Sequence, residues 1–300
     1  TILNNNTTGT VDYYTLTKTQ GTNTTLTVKL DSSTGTALST TQVLKGTTIY
    51  AAVSPATGYT ASMTVGGTAH TSGNTFTMSA AKEVKSTAAI INYTITYNLD
   101  SGIVSTPNPT TYNVTTATFS LTNPTKAGYE FLGWTGSNGT TPQKTVTITV
   151  GSTGNKTYTA NWSAITSTPY KVQHWQQKLT GDKDVHDSTN YTLVDTDNLQ
   201  GETDTSVTPA VKTTYTGFTA PATQTVTISG EGTTIVNYYY TRNSHTVTLN
   251  KGTGIDTVTG AGTYLYGANV TINATVKTGY TWNKWTGDEA NTTQNYTFTM

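Results

Sequence analysis

Apolar and polar residues alternate along most of the chain. Leu26, Val28 and Leu30 are separated by Thr and Lys, and the same alternation recurs in residues 93–99 and 270–276. A period of two directs successive side chains to opposite faces of a strand, so these segments predict strands with one buried face. No window has the convincing period of an amphipathic helix. The predicted fold class is therefore all-β, with small sheets of four or five strands.

One segment of the chain occurs twice. Residues 46–60 correspond to residues 267–281, and each copy then reaches a Phe-Thr-Met sequence, which ends at Met78 or Met300. Residues 1–14 similarly correspond to residues 227–239, which gives a super-repeat of about 222 residues. The predicted organisation is the end of a preceding module (1–19), module A (20–91), module B (92–166), module C (167–243) and an incomplete second copy of module A (244–300), named A′ below.

The two copies of module A differ after the Phe-Thr-Met sequence. In the first copy a turn and a closing strand follow Met78, whereas Met300 precedes any equivalent strand. We expect the natural polypeptide to continue. The alternative is that another chain supplies the missing strand at an open sheet edge.

Every module carries a Gly followed by an aromatic residue. Gly adopts the positive φ of a turn or bulge, and the next side chain can then fold back onto the core. Because the pair recurs in all module types, we interpret it as structural, with ligand stacking as the alternative. With two tryptophans of module B, the predicted structural positions are Gly58, Tyr59, Gly128, Tyr129, Trp134, Trp162, Gly217, Phe218, Gly279 and Tyr280.

The most specific motif lies in module B. It reads Pro-Thr-Lys-Ala-Gly-Tyr-Glu-Phe-Leu-Gly-Trp over residues 124–134 and is closed by Tyr-Thr-Ala-Asn-Trp over residues 158–162. This motif resembles the Listeria–Bacteroides repeat, also called the internalin B-repeat. The resemblance implies a β-grasp-like fold for about 70 residues.

The other modules resemble related repeats. Module A and A′ are similar to the divergent internalin B-repeat, although Met63 and Val65 stand in the first copy where A′ has Trp282 and Trp285. Module C, which opens with Tyr170-Lys-Val-Gln-His-Trp and closes with residues 236–243, resembles the mucin-binding-protein-like repeats. These resemblances imply a segment of a large exported bacterial surface protein, located outside the cell, and they transfer no catalytic residue.

Composition narrows the range of functions. The 16 basic and 16 acidic residues cancel, and charged residues form only 11% of the chain, which is less than half the usual fraction of about 25%. A neutral chain provides no field to attract nucleic acid or an anionic membrane surface, so neither is an expected partner. Because cysteine is absent, disulfides and thiolate metal sites are excluded.

Candidate metal and catalytic residues are few. The four histidines are spread over different modules, without metal-ligand spacing. Acidic residues cluster only in module C, where alternate carboxylates could suit calcium, although the EF-hand spacing is missing and a solvated hairpin tip explains the same residues. The candidate calcium ligands are Asp182, Asp184, Asp187, Asp195 and Asp197. No nucleophile motif and no paired carboxylates across a cleft are evident, so we predict no enzyme activity and no cofactor.

The favoured function is mechanical. We expect a tandem array of β modules that forms an elongated rod, contacts its neighbours within the chain and holds a distal domain away from a cell surface, with adhesion as a further contribution. One alternative is a glycan-binding or mucin-binding module, in which exposed aromatic residues of module C stack on host glycans. Its candidate residues are Tyr170, Trp175, Tyr191 and Tyr215. Another alternative is a fibre subunit that assembles with other copies by strand donation.

Overall fold

The structure, a computed structural model, describes residues 9–38 and 42–300 and is all-β. The regular elements in these residues are strands. Across residues 9–38 and 42–300, no helix is long and apolar enough to cross a membrane. The chain forms two compact units: one reaches to Thr125 and includes Phe131–Trp162, and the other comprises Lys126–Glu130 and Ser163–Met300.

Module A consists of two sheets around one core. The strands are β1 (Tyr13–Thr19), β2 (Thr24–Leu30), β3 (Gln42–Leu44), β4 (Thr48–Pro55), β5 (Tyr59–Val65), β6 (Thr68–Ala69), β7 (Asn74–Thr77) and β8 (Lys82–Ile90). One sheet has the order β3-β1-β8-β5-β6, with β1 and β8 parallel at its centre, and the other has the order β2-β4-β7. The buried cluster includes Leu16 and Val84 from the first sheet and Leu26 and Ile49 from the second, so the core lies between the sheets.

The strand pairing bears on where module A begins. By sequence, residues 1–19 are assigned to the end of a preceding module. In the structure β1 pairs with β3 and β8, so residues 13–19 are part of the module A sheet. Residues 1–8, on which that correspondence also depends, lie outside the described residues.

Module B repeats this plan with a smaller second sheet. Its strands are β9 (Tyr93–Asn98), β10 (Thr111–Tyr112), β11 (Phe119–Ser120), β12 (Tyr129–Gly136), β13 (Gly139–Gln143), β14 (Thr147–Ile148) and β15 (Lys156–Ala164). The main sheet has the order β10-β9-β15-β12-β13 with β9 and β15 parallel, and β11 pairs with β14. Trp134 is fully buried at the centre of the core, where its ring meets Tyr97, Phe131 and Tyr158.

Module C has the same arrangement of a main sheet and a smaller second sheet. Its strands are β16 (Thr168–Gln177), β17 (Tyr191–Gly201), β18 (Ser206–Val207), β19 (Phe218–Thr219), β20 (Val226–Thr227) and β21 (Ile235–Arg242). The main sheet has the order β17-β16-β21-β19 with β16 and β21 parallel, and β18 pairs with β20. The core contains Val172, Ile228, Val236 and Tyr238. In modules A, B and C the first and last strands are thus parallel neighbours, which is the β-grasp-like arrangement.

A′ contains one sheet of the module A plan and part of the other. Its strands are β22 (Ser244–Val247), β23 (Ile255–Thr259), β24 (Gly262–Leu265), β25 (Asn269–Val276) and β26 (Tyr296–Thr299). The sheet β23-β25-β26 corresponds to β2-β4-β7, and β22 pairs with β24 as β1 pairs with β3.

Threonine accounts for the polar half of the alternation. Its β-branched side chain suits a pleated surface, and facing hydroxyls can form hydrogen bonds across a strand pair. Such pairs join Thr257 to Thr275 at 2.6 Å, Thr271 to Thr297 at 2.8 Å and Thr208 to Thr225 at 2.7 Å. Threonines of this kind therefore stabilise the strand pairs as well as covering the sheets.

Candidate functional site in module C

A connected group of polar side chains surrounds His174. This residue occupies an inward position of β16, between Val172 and Gln177, and its side chain is fully buried. Its Nδ1 lies 2.8 Å from the hydroxyl oxygen of Tyr240, and its Nε2 lies 3.0 Å from Oδ2 of Asp197. A carboxylate only accepts hydrogen bonds, so Nε2 donates to Asp197 and Nδ1 accepts from Tyr240.

Lys212 closes this group into a ring. Its backbone N–H donates to the Tyr240 hydroxyl at 2.8 Å, and its Nζ donates to Oδ1 of Asp197 at 2.9 Å and also to Asp195. The ring joins β16, β17 and β21 to the loop that follows β18. It therefore supplies hydrogen-bond partners to two core residues, His174 and Tyr240, whose polar atoms would otherwise be costly to bury.

The charges of the ring stabilise one another. Hydrogen bonds from Lys212 lower the pKa values of Asp195 and Asp197 below their usual range, and the same bonds raise the pKa of Lys212. Burial raises the pKa of Tyr240, so its hydroxyl keeps the proton that it donates to His174. Because both carboxylates are more than a third exposed, solvent screens these ion pairs, and they are not the main source of stability in module C.

The arrangement does not bring together the parts of a catalytic site. His174 and Tyr240 are both fully buried, and both polar atoms of the imidazole are already hydrogen-bonded within the ring. A general base must reach the proton that it abstracts from a substrate, and here the base faces the protein core. The ring is best explained as a structural network that fixes the loop of residues 208–217 onto the main sheet.

The structure divides the five candidate calcium ligands between two places. Asp195 and Asp197 lie on β17 and bind Lys212. The other three lie in the hairpin between β16 and β17, where Asp182 accepts from the Asp184 N–H and Asp187 accepts from the N–H groups of Thr189 and Asn190. Within residues 9–38 and 42–300, no three His, Asp or Glu side chains are arranged to hold a metal ion.

The four candidate ligand-stacking aromatics of module C are not exposed. Tyr170 and Tyr191 are buried, and the Tyr191 hydroxyl donates to the Lys183 carbonyl at 2.8 Å. Trp175 and Tyr215 are half-buried: Trp175 donates from Nε1 to Asn237 at 3.0 Å, and the Tyr215 ring packs edge-on against Tyr240. A glycan-stacking surface requires exposed rings, which none of these four residues presents.

Sequence reasoning missed a second aromatic group on the outer face of module C. Tyr239 lies between Trp175, with ring centroids 6.0 Å apart, and His186, with centroids 4.3 Å apart and nearly parallel rings. His186 belongs to the acidic hairpin, which therefore folds over the sheet. Alternation could have identified Tyr239, because its neighbours Tyr238 and Tyr240 both point inward. A cavity of about 620 Å³ borders this group and is lined by residues including Lys183, Gln224 and Asn237.

The predicted structural tryptophans and glycines both have well-defined surroundings or conformations. Trp134 is fully buried and Trp162 is half-buried, with Nε1 groups that donate to Asn123 at 2.9 Å and to the Leu99 carbonyl at 3.2 Å. The glycines Gly58, Gly128, Gly217 and Gly279 have φ values of 82°, 75°, 78° and 86°.

The aromatic residues that follow these glycines are less uniform. Phe218 packs against the module C core, while Tyr59 and Tyr129 are half-buried and Tyr280 is exposed. The Tyr129 hydroxyl donates to Asp204.

Comparisons with known proteins identify two segments. No curated protein matches the chain. Among solved structures, the Bacillus anthracis TIE protein matches with a TM-score of 0.27 and 12% identity, over 91% of this chain, which spans 63% of that structure's length. Residues 93–161 match the family described as the Listeria-Bacteroides repeat domain, and residues 245–300 match the divergent InlB B-repeat domain. Module B and A′ therefore match two repeat families that occur in bacterial surface proteins.

Proposed function

We propose that this chain is a non-catalytic spacer segment of a large repetitive protein on a bacterial cell surface, where it holds a distal domain away from the cell. Two observations of family membership support a surface repeat protein, because Listeria-Bacteroides repeats and divergent B-repeats are typically non-catalytic surface modules. The spacer role is a more specific proposal than a surface repeat protein, and it depends on how the modules are joined.

The observation that carries the proposal is the shortness of the connections between modules. Only residues 91–92 separate β8 from β9, residues 165–167 separate β15 from β16, and residue 243 separates β21 from β22. Connections of one to three residues cannot act as flexible linkers, whose reach grows with the square root of their length. Each module must therefore follow the previous one closely.

Separate cores support the same role. Modules A, B and C each enclose their own buried cluster. Folds of this kind can be repeated without limit, since each module contacts only its neighbours and function does not require a pocket shared by distant modules. The ring around His174 also fits a structural role, because it ties a loop to the main sheet of module C and its imidazole and phenol are both buried.

Small-angle X-ray scattering on the 300-residue chain tests the spacer role. The parallel central strands have 6 to 10 residues, so at about 3.3 Å per residue each module is roughly 20 to 33 Å long. For four modules in line we expect a maximum dimension of roughly 80 to 130 Å. A maximum near the roughly 55 to 65 Å of a compact globule of this size would contradict the proposal.

A matched control addresses the connections themselves. Insertion of ten Gly and Ser residues after Thr166 leaves every strand intact but provides a flexible link. We expect the insertion to broaden the distribution of dimensions. An unchanged distribution would mean that the short connections do not restrict the array.

A further inference from the structure

The four Gly–aromatic turns share one backbone conformation. Gly58, Gly128, Gly217 and Gly279 all have φ between 75° and 86°, a region in which residues with a Cβ are strained. The conformation alone explains why glycine occurs there. It does not explain what lies next to the missing side chain.

Three of these glycines are covered by the module that follows in the chain. A Cβ on Gly58 would overlap the side chain of Val114, and one on Gly217 would overlap the ring of Tyr266. In the second compact unit, a Cβ on Gly128 would overlap Thr203 and the backbone of Gly230. The glycines thus allow a close approach that any other residue would prevent.

The covering residues occupy one position of the module plan. Val114, Thr203 and Tyr266 each lie within two residues of the end of the second strand of the main sheet, which is β10, β17 or β24. We call the turn at this position the plug turn. The same structural position of the following module therefore covers the glycine at all three junctions.

A backbone hydrogen bond accompanies each contact. The donors are the N–H groups of Ile91, Ile165 and Asn243, each the first residue after the last strand of a module. They donate to the carbonyl oxygens of Gly58, Gly128 and Gly217, in each case at 2.9 Å.

At two junctions the hydrogen bonding extends to the plug turn. Thr203 N–H donates to the Ile165 carbonyl at 3.0 Å, and Tyr266 N–H donates to the Asn243 carbonyl at 2.8 Å. The connecting residue is thus held on one side by the glycine and on the other by the plug turn.

We propose that the Gly–aromatic turn is the docking site for the next module, with the plug turn as its partner. The positive φ aims the glycine carbonyl at the connecting residue, and the missing Cβ admits the plug turn. The inference goes beyond the spacer role, because it assigns a binding surface and its partner without depending on the length of the array.

The proposal extends to the fourth turn. Apart from its own chain neighbours, no described residue comes within 4 Å of the position that a Cβ on Gly279 would take, and Tyr280 beside it is 52% exposed. The equivalent turn of the first copy, at Gly58, receives Val114 of module B. The Gly279 turn is therefore a docking site for a B-type module, on whichever polypeptide that module is carried.

Glycine-to-alanine substitutions test the docking site with an internal control. Gly217→Ala and Gly279→Ala impose the same backbone strain, and that strain lowers the melting temperature by roughly 5 to 10 °C. Only Gly217→Ala also disturbs a docked plug turn. We expect it to lower the melting temperature by about twice as much and to accelerate hydrogen exchange at the Asn243 amide. Equal shifts and unchanged exchange would overturn the proposal.

A double-mutant cycle separates docking from strain. In the docked junction, Tyr266→Ala opens space beside residue 217. Gly217→Ala should therefore lower the free energy of unfolding less in the Tyr266→Ala background than in the original chain. Additive effects would mean that the glycine serves the turn conformation only. The readout does not depend on the overall dimensions of the chain, so it can fail or succeed independently of the spacer role.

An extended chain tests the fourth site. A copy of residues 79–166 is fused after Met300, which supplies the closing strand and a B-type module. In the fusion, Gly279→Ala should lower the melting temperature as much as Gly58→Ala does. Without the extension, Gly279→Ala should produce only the smaller loss that comes from backbone strain. An equal cost of Gly279→Ala with and without the extension would overturn the assignment.

Discussion

Module A and A′ show how one sequence pattern behaves with and without its closing strand. Both build the same three-stranded sheet, β2-β4-β7 in the first copy and β23-β25-β26 in the second, and Ile49 and Val270 are fully buried at equivalent positions. The main sheets differ. In module A the strand β8 lies between β1 and β5 and buries Val84 and Ser86.

In A′ the corresponding space is open. A cavity of about 580 Å³ lies beside β22 and is lined by residues including Val247, Leu249, Trp285, Phe298 and Met300. Within the described residues of A′, β22 pairs with β24 alone, and residues 277–295 contain no strand. Within the described residues, the three-stranded sheet is thus present in both copies, whereas the five-stranded sheet is present in module A, where β8 lies between β1 and β5.

The largest effect should come from a charge in the closing strand. Val84→Asp places a carboxylate in the centre of the module A core, and we expect a loss of more than about 3 kcal/mol in the free energy of unfolding of that module. Hydrogen exchange measured peptide by peptide should show module A open and A′ unchanged. Thr87→Asp, on the exposed side of the same strand, is the matched control, and an equal loss there would contradict the central role of Val84.

A smaller gain should follow from supplying the closing strand to A′. Fusing a copy of residues 79–91 after Met300 provides the equivalent of β8, and burial of its inward side chains should raise the free energy of unfolding of residues 244–300 by about 2 kcal/mol or more. Denaturant unfolding with segment-resolved exchange measures the gain. The same fusion with the V84D change in the appended copy should give none, and a gain there would point to an effect of chain length alone.

The smallest effect concerns one hydroxyl of the closing strand. Ser86 Oγ is buried, accepts from the Gly21 N–H at 3.0 Å and lies 2.7 Å from the Thr24 hydroxyl. Ser86→Ala removes both contacts, but Thr24 keeps its bond to the Gly21 carbonyl, so we expect a loss of about 1 kcal/mol. Ser62→Ala removes an exposed hydroxyl pair with Thr87 and should lower the free energy of unfolding by less. The urea midpoint of Ser86→Ala should therefore be below that of Ser62→Ala, and the reverse order would contradict the role of Ser86.

Alternation predicted the strands, and the Gly–aromatic pairs predicted the positive φ of the glycines, because these properties depend on nearby residues. They did not predict that each module has two sheets or that β1 belongs to the first module. Those facts depend on pairing between residues far apart, such as Leu16 with Lys82. The ring around His174 escaped prediction for the same reason, because its partners Asp197, Lys212 and Tyr240 follow 23 to 66 residues later.

The parallel pairing of first and last strands has a mechanical consequence. In module C six residue pairs, from Lys171 with Ile235 to Gln176 with Tyr240, join β16 to β21. Because the strands are parallel, the chain enters at one end of this pair and leaves at the opposite end. A pull on both ends therefore slides the strands past each other and loads their hydrogen bonds together, whereas an antiparallel terminal pair would open one bond at a time. Resistance to force is a matter of unfolding rate, so a module of modest equilibrium stability can still bear load along this direction.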